Sequence, residues 1–374
     1  MEKQLNTSFI HERMLQLGLS QTQLAEKLEV TKTAISSWLK PEKFPRPRHL
    51  LKLAELLKLS FDEIVLKKKV ELQPSVAFRK SGNHKILDSH REHFYYISRL
   101  LCRLVPYLPF DDLSAPATLK DPRVDYNYIQ KAARAVRQEI GKDQIEIEDL
   151  LAIFGKLQAI IIPVLWGREH YKNATHVFLP ESQTTWIFIN LDTNILDFKF
   201  WLAHELGHAK SPQLVEQEGE NFADRFAGAL LFSSDLSAEA NRRLKPLEYR
   251  DQIKFTQEIS AQNDISPITI YKEGKAYAQH HSLETLDLER NRLIYKTSTL
   301  FNKKYELVSE SLFKSDCLEP KECIDVSKTK FKTCFFEFLA AYLKEHRDDS
   351  SKFVANILDI PLTDAHSLEQ ELRG

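Results

Sequence analysis

The sequence predicts an α+β protein that is mostly helical, with a small sheet confined to the middle of the chain. Three observations carry this. Apolar residues recur at helical spacing over residues 1–66, from about Tyr126 to Leu157, and over nearly all of the chain beyond residue 250. Strand-like pieces cluster between residues 159 and 190, reading AIIIPVLW, THVFLP and TWIFIN. Glycine is scarce, at 10 of 374 residues, which disfavours turn-dense all-β folds and glycine-rich phosphate loops.

The first segment, residues 1–69, reads as five short helices. Breaks fall at Gly18, at Glu29-Val30, along the stretch from Pro41 to Pro47, and at Ser60. The whole chain has a net charge of −1, but residues 1–70 hold 13 Lys/Arg against 8 Asp/Glu, a surplus of +5. Such a surplus suits a phosphate-bearing partner, and it is also found on solvated faces. Within the segment, Ser20–Leu39 reads SQTQLAEKLEVTKTAISSWL. Ser20 suits the N-cap of one helix, with Leu24, Ala25 and Leu28 inward. Thr31 suits the N-cap of a second helix, with Ala34, Ile35 and Trp38 inward. The small side chain of Ala25 lets the two helices cross closely. Lys32, Thr33, Ser36, Ser37 and Lys40 are left facing outward, and Gln21 at the start of the first helix is placed to hold a phosphate.

This pattern, followed by the PRPRHLLKLAELL stretch from Pro45 to Leu57, resembles the lambda-repressor/Cro-like (XRE) helix-turn-helix family over residues 8–66. The resemblance implies a five-helix lambda-repressor-like domain that binds double-stranded DNA, with Gln21, Thr31, Lys32, Thr33, Ser36, Ser37 and Lys40 at the interface. It also implies a homodimer on a two-fold site. The competing reading is a five-helix interaction module without DNA contacts.

Lys67-Lys68-Lys69 marks a domain edge. Residues 70–125 read as a connector with one helix, punctuated by Pro106, Pro109, Pro116 and Pro122. Residues 126–280 hold two helices, the strand-like pieces, a helix at about Leu196–Ala209 closed by Pro212, and a further helix from about Val215 to Phe232.

That central helix carries the sharpest signal, WLAHELGHAK at residues 201–210. His204 and His208, four apart, fall on one helical face one turn apart. Two imidazoles so placed can both bind one zinc ion. Glu205 lies about 100° round the helix from His204, where it can hold a water on the metal and accept its proton. Gly207 lets another backbone or a ligand pass close. On the next helix, EGENFADRFAGALLF, Glu220 and Asp224 share a stripe with Ala227 and Leu231. Two carboxylates in an inward stripe point to a cation, because a buried unpaired carboxylate is costly. Glu220 is assigned as third metal ligand, with Glu216 one turn earlier as the alternative. Asp224 is assigned to the second ring nitrogen of a zinc histidine. Pairing of both acids with Arg225 or with lysines on a solvated face is the other reading.

HELGH followed by ExxxD and FAGALLF resembles the ImmA/IrrE family of zinc metallo-endopeptidases, over about residues 126–235. The resemblance implies His204, His208 and Glu220 as zinc ligands, Glu205 as general base, and a small sheet packed on the HExxH helix. It further implies that TWIFIN-LDT is an edge strand to which a substrate adds near Trp186–Asn190. ISPITIYKEGKAYA, residues 265–278, resembles the helical region after the peptidase. The family's proline after the LL of the second helix is replaced here by Phe232-Ser233-Ser234. The donor to the transition state stays open among Tyr171, His176, Asn190 and Arg225.

Residues 281–374 carry no chemical motif and read as a helical domain that packs on the peptidase or forms the dimer. The four cysteines, Cys102, Cys317, Cys323 and Cys334, form no CxxC pair, and neither a leader nor a long apolar run is seen, so a cytoplasmic protein with reduced thiols and no membrane contact is expected. The combined expectation is a DNA-binding transcriptional regulator with zinc-dependent endopeptidase activity against a repressor- or antitoxin-like protein. A non-enzymatic zinc-containing DNA-binding regulator, and a toxin or phage-defence component of a toxin–antitoxin type, are the alternatives.

Overall fold

A computed structural model of the chain describes residues 4–40, 44–66, 75–80, 88–109, 118–168, 172–313 and 319–374. Lys67-Lys68-Lys69, Pro116, Tyr171 and Cys317 lie outside the described residues. The chain forms two compact units, Met1–Leu72 and Gln73–Gly374.

In the first unit, five helices run α1 Thr7–Gln16, α2 Gln21–Lys27, α3 Lys32–Leu39, α4 Pro47–Leu57 and α5 Phe61–Ile64. Their starts are written in the sequence. Asn6 accepts from the amide of Phe9 at 3.3 Å. Ser20 and Gln23 cap each other's backbone at the head of α2. Thr31 Oγ1 accepts from the amide of Ala34 at 3.2 Å at the head of α3. The turn between α2 and α3 puts Glu29 in the left-handed region, at φ 56°. Ile10, Leu24, Leu28, Ile35, Leu53 and Leu57 form the core. Two short strands, β1 Gln4–Leu5 and β2 Val65–Leu66, pair antiparallel and draw the ends of the unit together.

The second unit is a sheet between two helical layers. Its strands are β3 Ser75–Lys80, β4 Ile160–Val164, β5 Lys172–Leu179 and β6 Thr184–Asn190, in the order β3-β5-β6-β4. β5 pairs antiparallel with both β3 and β6, and β4 pairs parallel with β6. Residue alternation sends Ile161, Ala174, Ile187 and Ile189 to one face and Ile160, Ile162, Val177, Trp186 and Phe188 to the other. Every residue of β6 is buried because both faces are covered.

The inner face meets α9 Ile195–Lys210 and α10 Glu216–Leu231, backed by α7 Tyr126–Ile140 and α8 Ile147–Lys156. The last carbonyls of α10 are satisfied by buried Arg137 of α7, whose Nη1 donates to Ala229 O at 2.6 Å and Leu230 O at 3.2 Å. Beyond α10 follow α11 Ser234–Leu244, α12 Tyr249–Asn263, α13 Pro267–His280, α14 Leu293–Asn302, α15 Val308–Leu312 and α16 Pro320–Thr329. The outer face meets α6 Asp88–Cys102, α17 Phe335–Glu345, α18 Ser351–Leu358 and α19 Leu362–Arg373 through Ile97, Leu101, Phe335, Phe338, Leu339 and Ile357. Among the described residues no helix is long and apolar enough to cross a membrane.

The edge-strand expectation changes. TWIFIN is β6, an interior strand with a neighbour on each side, so no substrate can add to it; its partner β4 arrives from earlier in the chain. The region read as a connector contributes β3 to the sheet and α6 to its outer layer. The helices of residues 281–374 belong to the same compact unit as the sheet.

Candidate metal centre and nucleic-acid interface

α9 is built for burial. Asn194 accepts from the amide of Asp197 at 3.0 Å and starts it. Leu196, Phe198, Leu202, Ala203, Leu206 and Ala209 pack round nearly its whole circumference. On that helix His204 and His208 sit one turn apart, with ring centroids 4.8 Å from each other. Gly207 brings α10 close. A Cβ there would lie 2.8 Å from Ala223 Cα and 3.2 Å from Ala223 Cβ. The room that the sequence reserved for a backbone or a ligand is thus taken by the neighbouring helix.

This approach sets Glu220 against both imidazoles. Glu220 Oε1 is 3.3 Å from His208 Nε2, and Glu220 Oε2 is 3.6 Å from His204 Nε2. The two Nε2 atoms are 3.1 Å apart. Ligands bound at 2.0–2.1 Å in a tetrahedron are separated from one another by about 3.3 Å. The Nε2–Nε2 and His208–Oε1 separations lie near that value, and the second carboxylate oxygen faces His204, so two imidazoles and a carboxylate at this spacing suit a zinc ion. The mutually close ligand atoms belong to His204, His208 and Glu220, and Glu216 is not among them. Glu216 stands exposed at the first position of α10, with φ 51°.

Asp224, one turn beyond Glu220, places Oδ1 3.0 Å from His204 Nδ1. A proton held on that nitrogen leaves Nε2 as the free electron pair. Glu205 is buried at 1% exposure and points to the sheet side, where its Oε2 is 3.7 Å from His176 Nδ1. His176 stands on β5, on the inner face with Ala174, and its ring is 5.8 Å from that of His208.

The electrostatics follow from this crowding. Burial opposes ionisation of Glu220, but the hydrogen bonds of His204 and His208 prevail and hold its carboxyl far below the usual range. Burial lowers His208, and with the charge of His204 it outweighs the raising pull of Glu220's hydrogen bond and charge and of Asp224's charge. Burial, aided by the nearby charges of His208 and His204, holds His176 well below the ordinary imidazole value, so it is neutral at pH 7. His204 and His208 are 0% and 5% exposed, and the side of the cluster nearest solvent is formed by Glu220 and Asp224.

Of the open candidates for the transition-state donor, His176 alone among the described ones is brought to Glu205. Asn190 is spent on loop structure, accepting from the amides of Trp166 and Asp192 at 3.1 Å and donating to Gly167 O at 3.1 Å. Arg225 Nη1 donates to Val124 O at 3.2 Å. The position of His176 was not legible because the sheet register carries it there. β3 was missed although SVAFRK carries a short apolar run, Val76 to Phe78, between the turn residues Pro74 and Gly82, a usable if weak strand signal.

In the first unit, Lys32, Thr33 and Lys40 are exposed along α3, while Gln21 and Ser36 are half-buried. Thr31 is occupied as the N-cap, and Ser37 Oγ donates to Ala34 O at 2.9 Å within its own helix. The exposed side chains of this face therefore lie at both ends of α3, Lys32 and Thr33 at its start and Lys40 at its C-cap.

Residues 10–64 match the helix-turn-helix family model, and the first unit is a helix-turn-helix domain of the kind that binds DNA. The match ends before the histidine cluster. No curated protein matches the chain. Among solved structures, Bacillus thuringiensis PlcR in complex with the peptide PapR7 and DNA is similar at 12% identity over 80% of this chain and 94% of that one, with a TM-score of 0.17. At that score the likeness carries no argument about fold or function.

Proposed function

We propose that this chain is a DNA-binding regulator whose second unit is a zinc-dependent endopeptidase acting on a protein partner. The observation that carries it is the convergence of His204, His208 and Glu220 at ligand–ligand separations of 3.1 to 3.6 Å, with Glu205 beside them. His204, His208 and Glu220 would hold a zinc ion, which would supply Lewis-acid chemistry at this site.

The chain's own groups supply the rest. Asp224 fixes the tautomer and tilt of His204. Glu205 takes the proton of the attacking water and passes it to the leaving amine nitrogen, restoring its carboxylate. His176 is neutral and adjacent, and its N–H is suited to the oxygen that gains negative charge. The DNA-binding unit confines the enzyme to a promoter, which makes a transcriptional repressor or an antitoxin-like protein the fitting substrate class.

The test is Glu205→Gln in the full chain, co-expressed with proteins encoded by neighbouring genes. One zinc per chain should remain and cleavage of the cognate partner should disappear. Normal cleavage by that variant, or no zinc in the wild-type chain, removes the reading.

A further inference from the structure

We propose that β3 is a built-in inhibitory strand: residues Ser75–Lys80 occupy the path of a substrate polypeptide along β5 and keep the metal site closed. The inference rests on the peptidase reading above.

An extended substrate gains its main-chain hydrogen bonds by adding to a sheet edge. β6 offers none, being paired on both sides, and β4 lies at the far end of the sheet. The edge nearest the metal cluster is the outer side of β5, and β3 fills it. The pairing is antiparallel, and its register sets Ala77 opposite His176, the residue 3.7 Å from Glu205. Adjacent strands lie about 4.8 Å apart, so the backbone at Ala77 passes one strand spacing from the histidine that faces the general base. β3 also packs against α10, the helix of Glu220 and Asp224. It therefore touches both elements that frame the site.

The burial of the site agrees. A hydrolytic residue must meet its substrate, yet Glu205 is 1% exposed and His204 0%. The strand is also fitted to leave. Its register with β5 shifts between Phe78 and Lys80, which weakens the pairing at that end. Backbone pairing is nearly independent of sequence, so another extended chain can replace it. A tethered strand presents itself at an effective concentration of order millimolar, so only a high local concentration of substrate, or a pull on the strand, opens the site.

The test uses the zinc-loaded full chain and the rate at which a chelator removes the metal. In A77P/F78P one of the two prolines must delete a donor to β5, because pairing alternates along an antiparallel ladder. Zinc release should be at least tenfold faster than in the wild type. A synthetic peptide spanning residues 73–82 should restore the slow rate. Equal rates in the two proteins overturn the proposal, and so does a fast rate that the peptide leaves unchanged, which would mark general destabilisation. A zinc-dependent cut within residues 75–80 of the wild-type chain, absent from Glu205→Gln, also overturns it, since the strand would then be consumed. A chain that takes up no zinc in either form ends the peptidase reading itself, an outcome distinct from equal rates.

Discussion

His176 Nδ1 of β5 stands 3.7 Å from Glu205 Oε2 of α9, so the sheet delivers a neutral imidazole to the general base of the proposed reaction. Replacing it by phenylalanine keeps an aromatic ring and removes the donor. His176→Phe should bind zinc as the wild type does and lose about 10²–10³ in kcat/KM, the cost of one oxyanion donor. Steady-state cleavage of the partner protein measures it, and unchanged kinetics would dismiss the role.

Asp224 acts through His204. Asp224→Asn should weaken zinc binding roughly ten- to a hundredfold, as loss of the partner that orients a ligand does. Competition against a chelator of known affinity reads this directly. The same affinity in both proteins would show that the 3.0 Å contact with His204 Nδ1 is incidental.

Gly207 tests the close helix crossing. Alanine favours a helix interior over glycine by about 1 kcal/mol. Here the added Cβ would meet Ala223 Cα at 2.8 Å, and backbone cannot step aside. Overpacking of about 1–3 kcal/mol outweighs the propensity gain, so Gly207→Ala should melt at lower temperature. Thermal denaturation followed by circular dichroism settles the sign.

Glu273 on α13 gives a pH signature. Burial, only partly offset by Arg225 and Lys272, raises its carboxyl from 4.5 to about 8. The fold thus prefers the protonated form. This contribution is fully present below about pH 4.5 and is lost as pH rises to about 8, at about 1.4 kcal/mol per unit across that window. Glu273→Gln removes the titration. Its melting temperature should match the wild type near pH 4.5 and exceed it increasingly towards pH 8; parallel curves would refute the shift.

On the first unit, Lys32→Ala and Lys40→Ala should each lower the slope of log affinity against log salt by about 0.9 for duplex DNA. Fluorescence anisotropy over a salt series gives that slope. No change in either variant would move the DNA face away from α3.

The helices were legible because caps and period coincide: Ser20 and Thr31 each mark a start that the structure uses, and His204 and His208 share a face by spacing alone. The third acid was legible because Glu220 falls in an inward stripe that otherwise holds small or apolar residues. The sheet was not. TWIFIN holds an unbroken apolar run, Trp186 to Ile189, which is the pattern of a strand covered on both faces, yet its parallel partner β4 lies more than 20 residues earlier and no local rule names it. His176 and Ala77 meet only through register, a long-range property that neither segment encodes by itself.

The close approach of Gly207 to Ala223 also bears on which ion the proposed site would accept. Two helices in backbone contact cannot breathe to suit a guest, so the spacing of the imidazoles and Glu220 is decided by packing before any ion arrives. Calcium asks for six to eight oxygens at about 2.3–2.6 Å, and magnesium for an octahedron that keeps several waters. Neither is served by two nitrogens and one carboxylate on a rigid frame, whereas a small ion content with four neighbours is. Selectivity at the proposed site would be a property of helix spacing, and a larger side chain at position 223 would alter it without touching a ligand.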